Sequence, residues 1–164
     1  MQYLEEKQDL FTMPKDYMLV HCVSADYMLG AGIAKRFAHE FNMRYHLRAR
    51  GDKDSWEGKG RCVIVNLTSE LNPTEPATAD IRVANLVTKG KFWNKPTYKT
   101  LMAALDDLHR QLIEEYPMVK KIAMPKIGCG LDGLSWREVS VIIALKFRDW
   151  DGTCVVCLPD KERI

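Results

Sequence analysis

A chain of 164 residues, 46% hydrophobic and 28% charged, is long enough for one domain with a substantial core and has an ordinary globular balance. Its formal net charge of +2 does not compel a nucleic-acid partner, and no apolar run approaches the length of a membrane span. Five cysteines, an odd number without framework spacing, exclude a disulfide scaffold and fit a reducing, cytoplasmic compartment.

In chain order, Met1–Glu6 has neither a basic start nor an apolar core, so no signal peptide is expected. Asp9-Leu10 precedes Phe11 and a turn at Met13-Pro14; the carboxylate either accepts the amino group of a base or caps the turn. Met18–Val23 reads as a short buried strand. It leads through Ser24-Ala-Asp-Tyr27 into Gly30-Ala31-Gly32, where a helix should begin near Gly32. Ile33, Phe37 and Phe41, four residues apart, give that helix an apolar face. From Lys35 to Arg61, eight Lys/Arg stand against four Asp/Glu. This excess is either a solvated surface or a means of steering an anionic ligand.

Arg61–Val65 and Ile81–Val87 are further strands, separated by a loop marked by the prolines of Asn72–Thr78. Lys89 follows the second strand. By default such a lysine is solvated, but at a strand's carboxyl end it can reach a ligand cleft. A partly desolvated lysine can attack a sugar anomeric carbon or form a Schiff base. Pro96 and Thr97 announce a long helix, with the proline in its first turn. Its apolar stripe runs from Tyr98 through Leu101, Leu105, Leu108 and Leu112 to Tyr116, and Pro117 stops it. The acidic pairs Asp106-Asp107 and Glu114-Glu115 fall mostly off the stripe and read as solvated.

Val119–Met124 is a strand that opens into Lys126-Ile127-Gly128-Cys129-Gly130-Leu131-Asp132. Ser135-Trp-Arg-Glu138 then has the capping-box pattern that starts a helix. Cys154–Leu158 closes the chain as a strand. Its Cys154-Val-Val-Cys157 reads as two buried thiols rather than a zinc site, because residues three apart on a strand face opposite ways.

This alternation predicts a mixed sheet with helices on both faces and a cleft outside the carboxyl ends of the strands. Helix N-termini and glycine-rich turns bind anions through backbone N–H groups. Gly30–Gly32 and Gly128–Gly130, both after strands, could therefore hold two phosphates or one pyrophosphate. Neither is a P-loop, and no GxGxxG is completed, since Lys35 stands three residues after Gly32. Asp132 would be the proton-transfer partner of Lys89. The four histidines form no clear triad, and His21 reads as a core or cleft-floor residue.

Together these pieces resemble a macrodomain along nearly the whole chain, and most closely the branch containing terminal ADP-ribose protein glycohydrolase. The matching segments are Asp9-Leu10-Phe11, His21–Ser24, Gly30–Ala34, Thr88-Lys89, Lys95–Tyr98 and Met124–Asp132. The resemblance implies a three-layer α/β/α sandwich over residues 1–164 that binds ADP-ribose. It implies adenine contacts from Asp9 and Leu10. One phosphate and distal-ribose loop would be Ser24 with Gly30, Ala31, Gly32 and Ile33, and the other Lys126, Ile127, Gly128, Cys129, Gly130 and Leu131. It makes Lys89 the nucleophile that displaces a Glu or Asp ester from C1″ of the distal ribose, and Asp132 the acid/base, with no metal or cofactor. ADP-ribosylated proteins are the expected partners of a monomer, and O-acetyl-ADP-ribose is a further substrate. Action on ADP-ribosylated DNA, through the basic segment Arg44–Arg61 and Phe92-Trp93, is an alternative; so are a non-catalytic reader and an ADP-ribose-1″-phosphate phosphatase. Three departures stand out: Lys126 where relatives often have Arg, a longer region from Asn42 to Ala79, and the two aromatics after the lysine. The asparagine-rich loop of the other common hydrolytic branch is absent, with His21–Ser24 in its place.

Overall fold

The computed structural model describes residues 1–67 and 80–159; the loop expected over 72–78 lies outside them. Six strands, β1 (Gln2–Lys7), β2 (Met18–Ser24), β3 (Arg61–Leu67), β4 (Ile81–Lys89), β5 (Lys121–Met124) and β6 (Thr153–Leu158), form one sheet in the order β1-β6-β5-β2-β4-β3. All neighbours are parallel except β3, which runs antiparallel to β4 at the edge. The helices are α1 (Gly32–Phe41), α2 (Met43–Arg48), α3 (Tyr98–Glu114) and α4 (Trp136–Lys146), and a 3-10 turn spans Leu10–Thr12.

Alternation along the strands sorts side chains between two cores. Met18 and Val20 of β2 pack with Leu101, Leu105 and Leu108 of α3 and Val139 and Ile143 of α4. Leu19 and Val23 pack with Phe37 of α1 and with Met43 and Leu47 of α2. The sheet is thus the middle layer of an α/β/α sandwich. On β6 the same rule puts Cys154 in the first core and Cys157 in the second, so the two thiols lie on opposite faces, as their spacing predicts.

Local signals at helix starts are partly redistributed. Thr97 is the N-cap of α3, and it and Thr100 satisfy each other's backbone N–H groups in a reciprocal box. Pro96 therefore precedes the cap instead of occupying the first turn. Ser135 does cap α4, but its side chain makes no capping bond. Its backbone N–H, which Glu138 would satisfy in the expected box, donates instead to the Tyr98 hydroxyl at 3.0 Å. Asp107 is not merely solvated: it accepts the Cys62 N–H of β3 at 2.8 Å and so ties α3 to the sheet edge. β1 and α2 carry no clear sequence signal; β1 (QYLEEK) is almost wholly exposed along its length.

Candidate active site

The parallel neighbours β5, β2 and β4 end on the same side, so the loops that follow them converge. A cleft of about 1210 Å³ opens there, and all fifteen residues named from the sequence, from Asp9 to Asp132, line it. That volume exceeds the range usual for drug-sized ligands and suits an extended, two-ended one.

Lys89 is the last residue of β4. Pairing with β2 runs regularly to Val23↔Val87 and then jumps to Ser24↔Lys89, leaving Thr88 unmatched. Such bulges re-aim the side chains that follow and are common beside active sites. Lys89 Nζ meets Asp132 Oδ1 at 2.6 Å, with the two side chains only 15% and 16% exposed. The aspartate is held by a turn that folds back on itself: Leu134 N–H donates to Gly128 O at 2.8 Å and Gly133 N–H to Gly130 O at 3.2 Å. Gly128 sits at φ +72 with Leu134 only 3.1 Å from where a Cβ would stand, so both conformation and space favour glycine there.

The loop between β2 and α1 is strained. Tyr27 (φ +51) and Leu29 (φ +46) occupy the left-handed region, a costly conformation for bulky side chains that surrounding contacts must enforce. Tyr27 is fully buried and its hydroxyl donates to Asp52 at 2.8 Å. Arg44 donates to the carbonyls of Met28 and Leu29. Asp26, 4% exposed, accepts from the Ser24 hydroxyl, the Met28 N–H and, across the cleft mouth, the Phe92 N–H at 2.8 Å. This loop delivers the chain to the N-terminus of α1, where Ala31 is the cap and offers no side-chain bond. First-turn N–H groups left without a side-chain cap can be satisfied by an anion. Gly32 and Leu131 approach each other across the cleft, with Leu131 Cδ1 3.7 Å from the position of a Gly32 Cβ. The Leu131 carbonyl accepts from Lys95.

Before the 3-10 turn Asp9 does what a turn-capping aspartate does, accepting the Phe11 N–H at 3.0 Å. It also faces the cleft and makes a two-pronged ion pair with Arg36, at 2.9 and 2.7 Å. The turn-capping reading therefore holds, and the same carboxylate lines the cleft. Arg36, Lys95 and Cys22 also line the cleft, and Asp26 braces its loop; sequence reasoning missed Arg36 and Asp26, and placed Lys95 and Cys22 in matching segments without a role. The Ser24-x-Asp26 spacing before a loop is the kind of signal that marks a side-chain-to-backbone turn; nothing local marks Arg36.

Electrostatics separate the nucleophile candidates. Burial, reinforced by the nearby Asp132 carboxylate, pushes the Cys22 thiol far above its usual range, and burial also raises Cys129. Both are protonated thiols at neutral pH and poor nucleophiles. His21 is fully buried in the α1-side layer, stacked on Phe37 at 3.8 Å. Desolvation lowers its pKa to about 4, opposed by its bond to Asn85, so it is a neutral core residue. Several cations of the basic segment are structural. Besides Arg44, Arg61 donates to Ser55 O at 2.7 Å, and Arg50 and Lys53 pair with Asp52 and Asp54. Phe92 and Trp93 stand edge to face, 55% and 64% exposed, and Phe92 lines the cleft mouth. Among the described residues no His/Cys/Asp/Glu group could hold a metal ion, and no helix is long and apolar enough to cross a membrane.

No family model matches the chain. Over 145 residues, 88% of this chain and 84% of the other, it is 32% identical to the ADP-ribose glycohydrolase OARD1 of Bos taurus and, equally, of Homo sapiens. Its fold is similar to the macrodomain of Mycobacterium tuberculosis DarG, with TM-score 0.77 and 24% identity over 97% of this chain and 99% of that one. It is also similar to Thermosipho africanus DarTG in complex with ADP-ribose, with TM-score 0.75 and 22% identity over 99% of this chain and 43% of that one.

Proposed function

The chain belongs to the macrodomain family, and on that premise we propose that it binds ADP-ribose and removes it from glutamate and aspartate ester linkages on proteins. The observation that carries the reading is the Lys89–Asp132 pair, 2.6 Å apart and largely withdrawn from water within a cleft whose two glycine loops suit a diphosphate. Relatedness to an ADP-ribose glycohydrolase supports a hydrolase over a reader.

In this scheme the Lys89 ammonium gives a proton to Asp132, the carboxylate in hydrogen-bond contact with it. The free amine bonds to C1″ of the distal ribose as the C1″–O ester bond breaks. The leaving side-chain carboxylate takes the electron pair of that bond. Water then replaces the amine at C1″: its oxygen bonds to C1″ as the C1″–N bond breaks, and the departing amine takes that bond's electron pair. The amine recovers the proton held by Asp132, and the aspartate carboxylate so restored takes the water's proton and passes it to solvent. A carboxylate is a good leaving group, which suits a mechanism without an activating metal. The same cleft would accept O-acetyl-ADP-ribose, and five free thiols suit a reducing, cytoplasmic setting.

A second reading, hydrolysis of ADP-ribose from a nucleobase, is favoured by the exposed Phe92–Trp93 platform beside Lys89, since bases stack on such surfaces. The structural engagement of Arg44 and Arg61 weighs against a free basic track. A panel of Glu-linked, Ser-linked and thymidine-linked ADP-ribose, with the acetyl and phosphate derivatives, separates these. The proposal expects turnover of the Glu-linked and acetyl esters; turnover of the thymidine linkage alone would overturn it.

A further inference from the structure

We propose that Arg36 sets base specificity by fixing Asp9 so that a single acceptor position faces the base. This rests on the reading that the ligand is ADP-ribose with its adenine at the Asp9 end of the cleft.

A carboxylate offers about four acceptor positions. On Asp9, Oδ1 takes the Phe11 N–H at 3.0 Å and Arg36 Nη1 at 2.9 Å, while Oδ2 takes Arg36 Nη2 at 2.7 Å. Among the described residues this leaves one position, on Oδ2. A two-pronged arginine fixes the carboxylate plane as well as its charge, so the free lone pair has a defined direction. The arginine is itself immobilised. Its guanidinium lies 4.3 Å over the Phe11 ring, and Phe11 packs on Phe37 at 4.7 Å and on Phe41 at 5.7 Å. The 3-10 turn that carries Asp9 and the helix that carries Arg36 are thus one packed unit, and both residues line the cleft.

A lone anionic acceptor suits an exocyclic amine, as at C6 of adenine, and repels a carbonyl oxygen in the same place, as in hypoxanthine. Without Arg36 the carboxylate can rotate, its free lone pairs lose their fixed direction, and the discrimination between the two bases weakens. The Arg36 hydrogen bonds are also the main cause holding the Asp9 carboxyl below its usual range, so Asp9 faces the base as an anion. Arg36 also nears Glu40, at 4.0 Å. Arg36 is thus a positioning residue, acting on the base through Asp9.

The test is calorimetric binding of ADP-ribose and of its hypoxanthine analogue to the wild-type chain, Arg36→Leu, Asp9→Ala and the double variant. The expected result is about a tenfold or greater preference of the wild type for the adenine ligand. Arg36→Leu should lose most of that preference, and the double variant should behave like Asp9→Ala alone. Arg36 is half exposed, so its replacement should leave the fold intact, which circular dichroism verifies. An unchanged preference in Arg36→Leu, or a further loss in the double variant, overturns this inference alone. Failure of the wild type to bind ADP-ribose overturns the functional reading and this inference with it.

Discussion

His21 makes the protein acid-sensitive in a defined window. Its imidazole is fully buried, donates from Nε2 to Asn85 Oδ1 at 2.6 Å in the tautomer that the acceptor requires, and leaves Nδ1 without a partner. Protonating Nδ1 would put an uncompensated charge between Phe37 and the sheet, and desolvation accordingly lowers the native pKa from 6.5 to about 4. Between those values the unfolded chain binds a proton that the native chain refuses, so stability falls as pH falls. Below about 4 the native state protonates as well and the loss levels off. A difference of roughly 2.5 units at 1.36 kcal/mol each gives a loss of about 3 kcal/mol across the window. His21→Gln keeps a donor for Asn85 and removes the titration. Urea denaturation of both proteins from pH 6.5 to 4 isolates the effect from the carboxylates, which titrate equally in each. The wild type should lose about 3 kcal/mol relative to the variant. A flat difference curve would refute the argument.

Two further substitutions test how the cleft is held. Asp26→Ala leaves the Ser24 hydroxyl and the Met28 and Phe92 N–H groups without their shared acceptor. It should cost about 3 kcal/mol and raise the KM for ADP-ribosyl substrates, read from urea denaturation and steady-state kinetics; wild-type values for both would count against it. Gly90→Ala would set a Cβ 2.8 Å from Trp56 Cδ1, displacing the indole that backs the residue after Lys89. Overpacking of this kind should cost about 1–3 kcal/mol in thermal or urea unfolding, and a neutral change would show that the indole moves freely.

What the sequence made legible was chemistry tied to short segments. The two glycine loops, Lys89 after a strand and Asp132 two residues past Gly130 all reach one cleft, because parallel strands carry their C-terminal loops to the same side. What it hid depends on partners distant in the chain. Arg36 acquires its meaning from Asp9, 27 residues away, and Asp26 its reach across to Phe92, 66 residues away; local spacing hints at the Asp26 turn but encodes neither long-range contact. β1 is an edge strand with a polar, largely exposed sequence, so periodicity has nothing to detect. The Thr88 bulge that directs Lys89 is a register event between β2 and β4. The Ser135 box failed because Tyr98, on another helix, took the N–H that Glu138 would have satisfied, while Thr97 and Thr100 formed a box without the usual acidic partner.

The central claim is that Lys89 attacks the sugar with Asp132 as its proton partner. The measurement that tests it most directly is the hydrolysis rate of a glutamyl-ADP-ribosyl peptide by the wild type, Lys89→Ala and Asp132→Ala, with ADP-ribose affinity measured in parallel. The account predicts that either variant loses about a thousandfold or more in rate while still binding ADP-ribose. Full-rate hydrolysis by Lys89→Ala would contradict it.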